Sequence, residues 1–99
     1  MLNITKTIEN GKALFALAGR LDTATAPELE KEIKTSLDGV SELVMDMKEL
    51  AYISSAGLRV LLSAQKTMTK QGSMTIKNAN DTILEIFEVT GFSDILTIE

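Results

Sequence analysis

The run Ser54-Ser55-Ala56-Gly57-Leu58-Arg59 is the stretch of this sequence with the most chemical potential. A serine hydroxyl can cap a helix, attack as a nucleophile, or accept a phosphoryl group. Attack requires an activating base, and the chain contains no histidine to supply the commonest one. It has no cysteine either, so Ser-His-Asp and Cys-His hydrolysis, disulfides and thiolate metal sites are all excluded. Neither Gly-x-x-x-x-Gly-Lys-Ser/Thr nor Gly-x-Gly-x-x-Gly occurs, so no phosphate-cradling loop accompanies the serines. An enzyme is therefore the least favoured class, and no catalytic residue, cofactor or metal is expected.

Two roles remain for the serine pair. Ser, Thr, Asp and Asn are the usual N-caps, and on local pattern alone a cap is the commoner outcome. A serine just before a helix also lies beside unpaired backbone N–H groups and the positive end of the helix dipole. A phosphate is well tolerated there, so modification need not unfold the domain. Ala56 and Gly57 are small and leave room for a partner's active site to reach the hydroxyl. Both roles are compatible if Ser54 caps while Ser55 points outward. An aspartyl phosphoacceptor at Asp46 is the alternative chemistry, but such sites need an acidic cluster around magnesium, and no acidic pair follows the first strand.

These residues need a frame to hold them. Residues 2–7 alternate apolar and polar as a half-buried strand does, Asn10-Gly11 is a hairpin signal, and residues 12–18 supply the second strand. Thr25-Ala26-Pro27-Glu28 has capping-box spacing for a helix that turns Ala26, Leu29, Ile33 and Leu37 inward. Leu43-Val44-Met45 reads as a central strand ending at Asp46, and residues 47–53 as a connection anchored by Leu50, Tyr52 and Ile53. The next helix is predicted over about residues 56–70 with Leu58, Leu61, Leu62 and Met68 inward, stopped by Gln71-Gly72. Met74 and Ile76 mark a strand. A last helix opens near Asn80 or Asp81 and ends at Gly91, after which Ile95, Leu96 and Ile98 are candidates for a short terminal strand. Strands joined through helices imply right-handed crossovers and a largely parallel α/β sheet, made mixed by the opening hairpin. The carboxyl ends of its parallel strands gather on one edge. Asp22, Thr23, Asp46, Asn78 and Asn80 follow or end strands, so they either border a docking surface on that edge or serve as turn residues. Arg59 is expected to stay exposed on the helix as a contact for a partner.

The totals fit one domain over residues 1–99, with 44% apolar and 24% charged residues. A net charge of −4 with scattered Lys and Arg argues against nucleic acid, and one Tyr with three Phe offers no stacking platform. No apolar run approaches the roughly 20 residues that span a bilayer, and no secretory signal opens the chain, so a cytoplasmic protein with no membrane partner is expected.

Residues 46–62 resemble the signature of STAS domains, in particular bacterial anti-sigma factor antagonists. Their pattern is an apolar strand ending in Asp, a short connection, then Asp-Ser-Ser/Thr-Gly-Leu opening a helix. It is met here by Leu43-Val44-Met45-Asp46 and Ser54-Ser55-Ala56-Gly57-Leu58. Gly19-Arg20-Leu21-Asp22 is similar to the family's Gly-x-Leu-Asp, and Gly91-Phe92 to its turn after the last helix, so the resemblance spans essentially the whole chain. It implies a STAS-type mixed sheet of four to five strands packed by three or four helices. It implies a partner switch as well. The unphosphorylated antagonist binds an anti-sigma factor that is also a GHKL-type serine kinase, releasing a sigma factor; phosphorylation blocks that binding and a PP2C-type phosphatase restores it. By position the acceptor is Ser55. Ser54 stands where the family commonly has Asp, which makes it a rival acceptor. Asp22, Thr23, Ser54, Ala56, Gly57 and Arg59 become partner-binding candidates, on a monomer or weak dimer. The alternative is an unphosphorylated STAS adaptor or accessory subunit of a transporter or stress-signalling complex.

Overall fold

The computed structural model describes residues 2–99. Strands β1 (Leu2–Glu9) and β2 (Lys12–Leu21) form an antiparallel hairpin whose closing pair is Glu9–Lys12. Its two-residue turn has Asn10 at φ 51° and Gly11 at φ 78°, the left-handed pair that a type I′ turn requires. Helix α1 (Ala26–Ser36) crosses to β3 (Glu42–Ile53), and α2 (Ser55–Gln71) crosses from there to β4 (Ser73–Lys77). The sheet order is β1-β2-β3-β4, with β2–β3 and β3–β4 parallel. Helix α3 (Asp81–Thr90) packs beside β3, and a 3₁₀ turn at Phe92–Asp94 follows it.

Both crossovers step in the same direction, so helices of the usual hand cover the same sheet face. The strands show it: Ala13, Phe15 and Leu17 are fully buried between exposed or half-buried neighbours, and Met45 and Met74 continue the buried row. From α1 the predicted stripe Ala26, Leu29, Ile33 and Leu37 is buried against them. From α2 come Leu58, Leu61 and Met68, as predicted, with Val60 and Ala64 beside them, while Leu62 is half-buried.

Two stretches differ from the sequence-based expectation. Residues 47–53 are not a connection; β3 runs on through them to Ile53, and Asp46 lies within the strand. Register shifts between Ala16 and Ala18 and between Gly19 and Arg20 insert extra residues into β3, and such bulges break the alternation by which a strand is read. The buried positions are accordingly Met45, Met47, Leu50 and Ile53, spaced by two and then by three. At the other end, no full strand forms after α3. Ile98 makes one parallel bridge to Ile76, with Ile76 N–H donating to Thr97 C=O at 2.8 Å and Glu99 N–H to Ile76 C=O at 2.9 Å.

Candidate functional site

The carboxyl ends of β2 and β3 lie side by side, pairing Arg20 with Tyr52 and Leu21 with Ile53. The Ser54 N–H then donates to Leu21 C=O at 2.8 Å, which carries the ladder one residue further before α2 begins at Ser55. The serine pair and the Asp22 corner are therefore neighbours by construction, although they are over thirty residues apart in sequence.

The two serines do different things. Ser54 is the N-cap, with extended backbone, and its Oγ accepts from Gly57 N–H at 3.3 Å. This satisfies one of the unpaired donors of the first turn. Ser55 is the first helical residue, and its side chain is exposed. No acidic residue stands in that first turn to offset the dipole. Gly57, expected among the partner contacts, is buried instead. A Cβ built there would lie 2.7 Å from Leu21 Cγ and 3.1 Å from Ile53 Cγ2, so glycine lets α2 seat directly on the ends of β2 and β3.

Across from the serines, Asp22 organises the turn into α1. Its Oδ1 accepts from Ala24 N–H and Thr25 N–H, each at 3.0 Å. Thr25, buried, accepts from Asp22 N–H at 2.9 Å and directs its own proton to Arg20 C=O at 2.8 Å. The hydrogen bond from Thr25 N–H is the main influence holding the Asp22 carboxyl below its ordinary value of 3.8. The predicted Thr25–Glu28 capping box does not form, because the Thr25 hydroxyl is turned back to the strand and α1 has no side-chain cap. Asp22 Oδ2 lies 3.8 Å from Arg20 Nε, and the Arg20 guanidinium sits 4.4 Å from the centroid of the Tyr52 ring. Sequence reasoning missed the Arg20–Tyr52 stack. It depends on the bulged register of β2 and β3, for which the sequence carries no local signal.

Thr23 and Arg59 are exposed and Ala56 is half-buried. Together with Pro27 they border a shallow depression of about 210 Å³ between the start of α1 and the first turns of α2. Asp46 and Asn78 sit further along the sheet, where Asp46 Oδ1 accepts from Lys48 N–H at 3.0 Å and Asn78 Nδ2 at 3.2 Å. Asn80 is a cap: its Oδ1 accepts from Ile83 N–H at 2.9 Å while its Nδ2 donates to Leu50 C=O at 3.0 Å. Both asparagines and Asp46 are thus committed to turn and cap chemistry. Among the described residues no three acidic side chains converge as a metal site would need. No described helix is long and apolar enough to cross a membrane.

Residues 3–99 match the STAS domain family. The chain belongs to that family. Over 86 residues it is 33% identical to the anti-sigma-B factor antagonist of Listeria monocytogenes, an alignment covering 84% of this chain and 75% of the relative. The STAS fold is seen in solved structures too. An anti-sigma factor antagonist from Mycobacterium paratuberculosis superposes with a TM-score of 0.88 at 20% identity, covering 99% of this chain and 85% of that one. The Bacillus protein SpoIIAA matches at 16% identity in its unphosphorylated and phosphorylated forms, with TM-scores of 0.76 and 0.74. The matches cover all of this chain and 87% and 91% of those two.

Proposed function

We propose that this STAS protein is an anti-sigma factor antagonist, a binding module of one domain over residues 1–99, working in the cytoplasm as a phosphorylation-controlled partner switch. The unphosphorylated chain binds an anti-sigma factor that is also a GHKL-type serine kinase, and so releases a sigma factor. Phosphorylation of Ser55 by that kinase ends the binding, and a PP2C-type phosphatase restores it. The reading takes its partner class from the relatives' names and its acceptor from one observation. Of the two adjacent serines, Ser54 spends its oxygen on the helix cap, whereas Ser55 stands exposed in the first helical turn.

The energetics of the switch follow from that position. A phosphate adds roughly −1.5 to −2 charges at neutral pH. If the surface around Ser55 docks on the partner, that charge must be desolvated or forced against fixed contacts. A penalty of about 3 kcal/mol would weaken binding about a hundredfold, because about 1.4 kcal/mol is tenfold. On this reading Thr23, Ala56 and Arg59 border the docked partner, and Asp22 with Arg20 forms the far side of the same edge. Ser54 is the poorer acceptor, since a phosphate on it would displace the cap to Gly57.

Intact-mass and phosphopeptide mapping of the protein from its own cells, beside a Ser55→Ala variant, is the test. A single phosphoryl group on Ser55, absent from the variant, is the expected result. A phosphate confined to Ser54 would reassign the acceptor. No phosphate under any growth condition would replace the switch with an unmodified STAS adaptor.

A further inference from the structure

We propose that Arg59 is the intramolecular counter-ion of a phosphate on Ser55, so that modification both adds charge and withdraws Arg59 from the partner surface. The inference rests on Ser55 as acceptor and goes further, to what the phosphate does once it is there.

Ser55 opens α2 and Arg59 stands four residues on, which places the two side chains one above the other on the helix surface. The order is the favourable one, with the anion N-terminal to the cation. Helical side chains lean toward the N-terminus, so the long arginine is within reach of the turn that carries Ser55. A planar guanidinium also matches a phosphate through two parallel hydrogen bonds, which a lysine would not.

The neighbouring charges leave Arg59 available. Arg20 is held by Asp22 at 3.8 Å and by the Tyr52 ring. Glu30, the acidic side chain of α1 that borders the same depression as Arg59, is 3.4 Å from Lys34. Asp22 is bound up with Thr25 in its turn. Among the described residues Arg59 has no carboxylate within 4.0 Å, although it is exposed beside a helix start with no acid of its own. A phosphate on Ser55 therefore becomes the anion nearest to a free cation. In the unmodified chain that cation points into solvent, where an acidic group of a partner can use it.

The experiment installs phosphoserine at position 55 during synthesis of the full chain and follows the second phosphate ionisation by ³¹P NMR. Parent, Arg59→Gln and Lys66→Gln chains are compared; Lys66 is exposed on the same helix and its change alters the net charge equally. A phosphoserine ionises near about pH 6. Arg59→Gln is expected to raise that value by about 0.3 pH unit, the size an exposed pair at this spacing carries, and about 1 M salt should erase the difference. Lys66→Gln should leave the value where the parent has it. Identical titrations for parent and Arg59→Gln, or equal shifts in both variants, would overturn the proposal. The phosphate is placed chemically, so a failure here leaves the cellular switch standing. Absence of phosphate in cells would remove the switch without touching this pairing.

Discussion

Replacing Gly57 by alanine tests whether the first turn of α2 is placed by contact or by local preference. Preference alone favours the change, since alanine gains about 0.8–1.0 kcal/mol over glycine within a helix. Contact opposes it. The new methyl would lie 2.7 Å from Leu21 Cγ and 3.1 Å from both Leu21 Cδ2 and Ile53 Cγ2. Leu21 and Ile53 are 0% and 2% exposed, so neither has space to rotate away. Overpacking of this kind costs about 1–3 kcal/mol, with the upper half of the range apt here because the close atom is a branch point and not a side-chain tip. The net expectation is a loss of about 1–2 kcal/mol, which for a domain of this size lowers Tm by about 5–15 °C. Urea unfolding with an unchanged slope would report it as a shifted midpoint. A second variant isolates the cause. Leu21→Ala should cost about 2–5 kcal/mol alone, but in its background Gly57→Ala should become neutral or favourable, a coupling of about 1 kcal/mol or more. A Gly57→Ala chain as stable as its parent would refute the reasoning, and so would an equal cost in both backgrounds.

Other substitutions separate roles that the sequence leaves together. Ser54→Ala removes the cap to Gly57 and should cost about 1 kcal/mol, while Ser55→Ala at an exposed position should stay within about 0.5 kcal/mol of the parent; equal shifts in denaturant midpoint would contradict that division. Gly72→Ala should be among the worst changes in the chain, about 3 kcal/mol or more, because its Cβ would fall 1.7 Å from the Ser41 carbonyl oxygen. Gly72 has φ 170°, outside the left-handed region, so the clash is what the change tests, and a parent-like melting curve would show that the β3 and β4 starts can separate. Asp22→Ala should be destabilising in a pH-dependent way. A carboxyl held below 3.8 stabilises the fold above that value and loses the contribution as pH falls through its lowered folded value. The gap between parent and variant should thus be constant near neutrality and narrow in acid; a gap that widened there would reverse the sign.

Much of the frame is legible in the sequence because it rests on local chemistry. The Asn10-Gly11 hairpin, the α1 stripe from Ala26 to Leu37 and the stop at Gly72 each follow from turn residues or helical period, and each is present. What was not legible depends on partners distant in the chain. The bulges that lengthen β3 shift its buried residues to irregular spacing, so residues 47–53 look like a loop until β2 lies beside them. Thr25 has the sequence of a cap, yet its hydroxyl finds Arg20 and Asp22, which only the folded corner brings within reach. Gly57 looks like a residue chosen for access and proves to be one chosen for close packing. The motif therefore marks the candidate site, while which serine caps and which stays exposed is set by the ends of two adjacent parallel strands.

That division bears on how a phosphate would be read. The ties that place α2 run from Ser54 N–H to Leu21 and from Gly57 into the Leu21–Ile53 pair; neither uses the Ser55 side chain. A phosphate on Ser55 meets helix N–H groups and the positive dipole end, which favour it by about 0.3–1 kcal/mol at an exposed site. On the proposed reading, then, modification leaves the fold as stable as before or slightly more so, and the cost of switching falls on the docked partner. Amide hydrogen exchange of the chain with and without phosphoserine at 55 separates the two places. Protection in β2 and β3 should be unchanged, with slower exchange confined to the first turn of α2, while affinity for the anti-sigma partner falls about a hundredfold. Loss of protection along β2 or β3 would put the switch inside the fold and show that the Leu21–Ser54 ladder yields when Ser55 is modified.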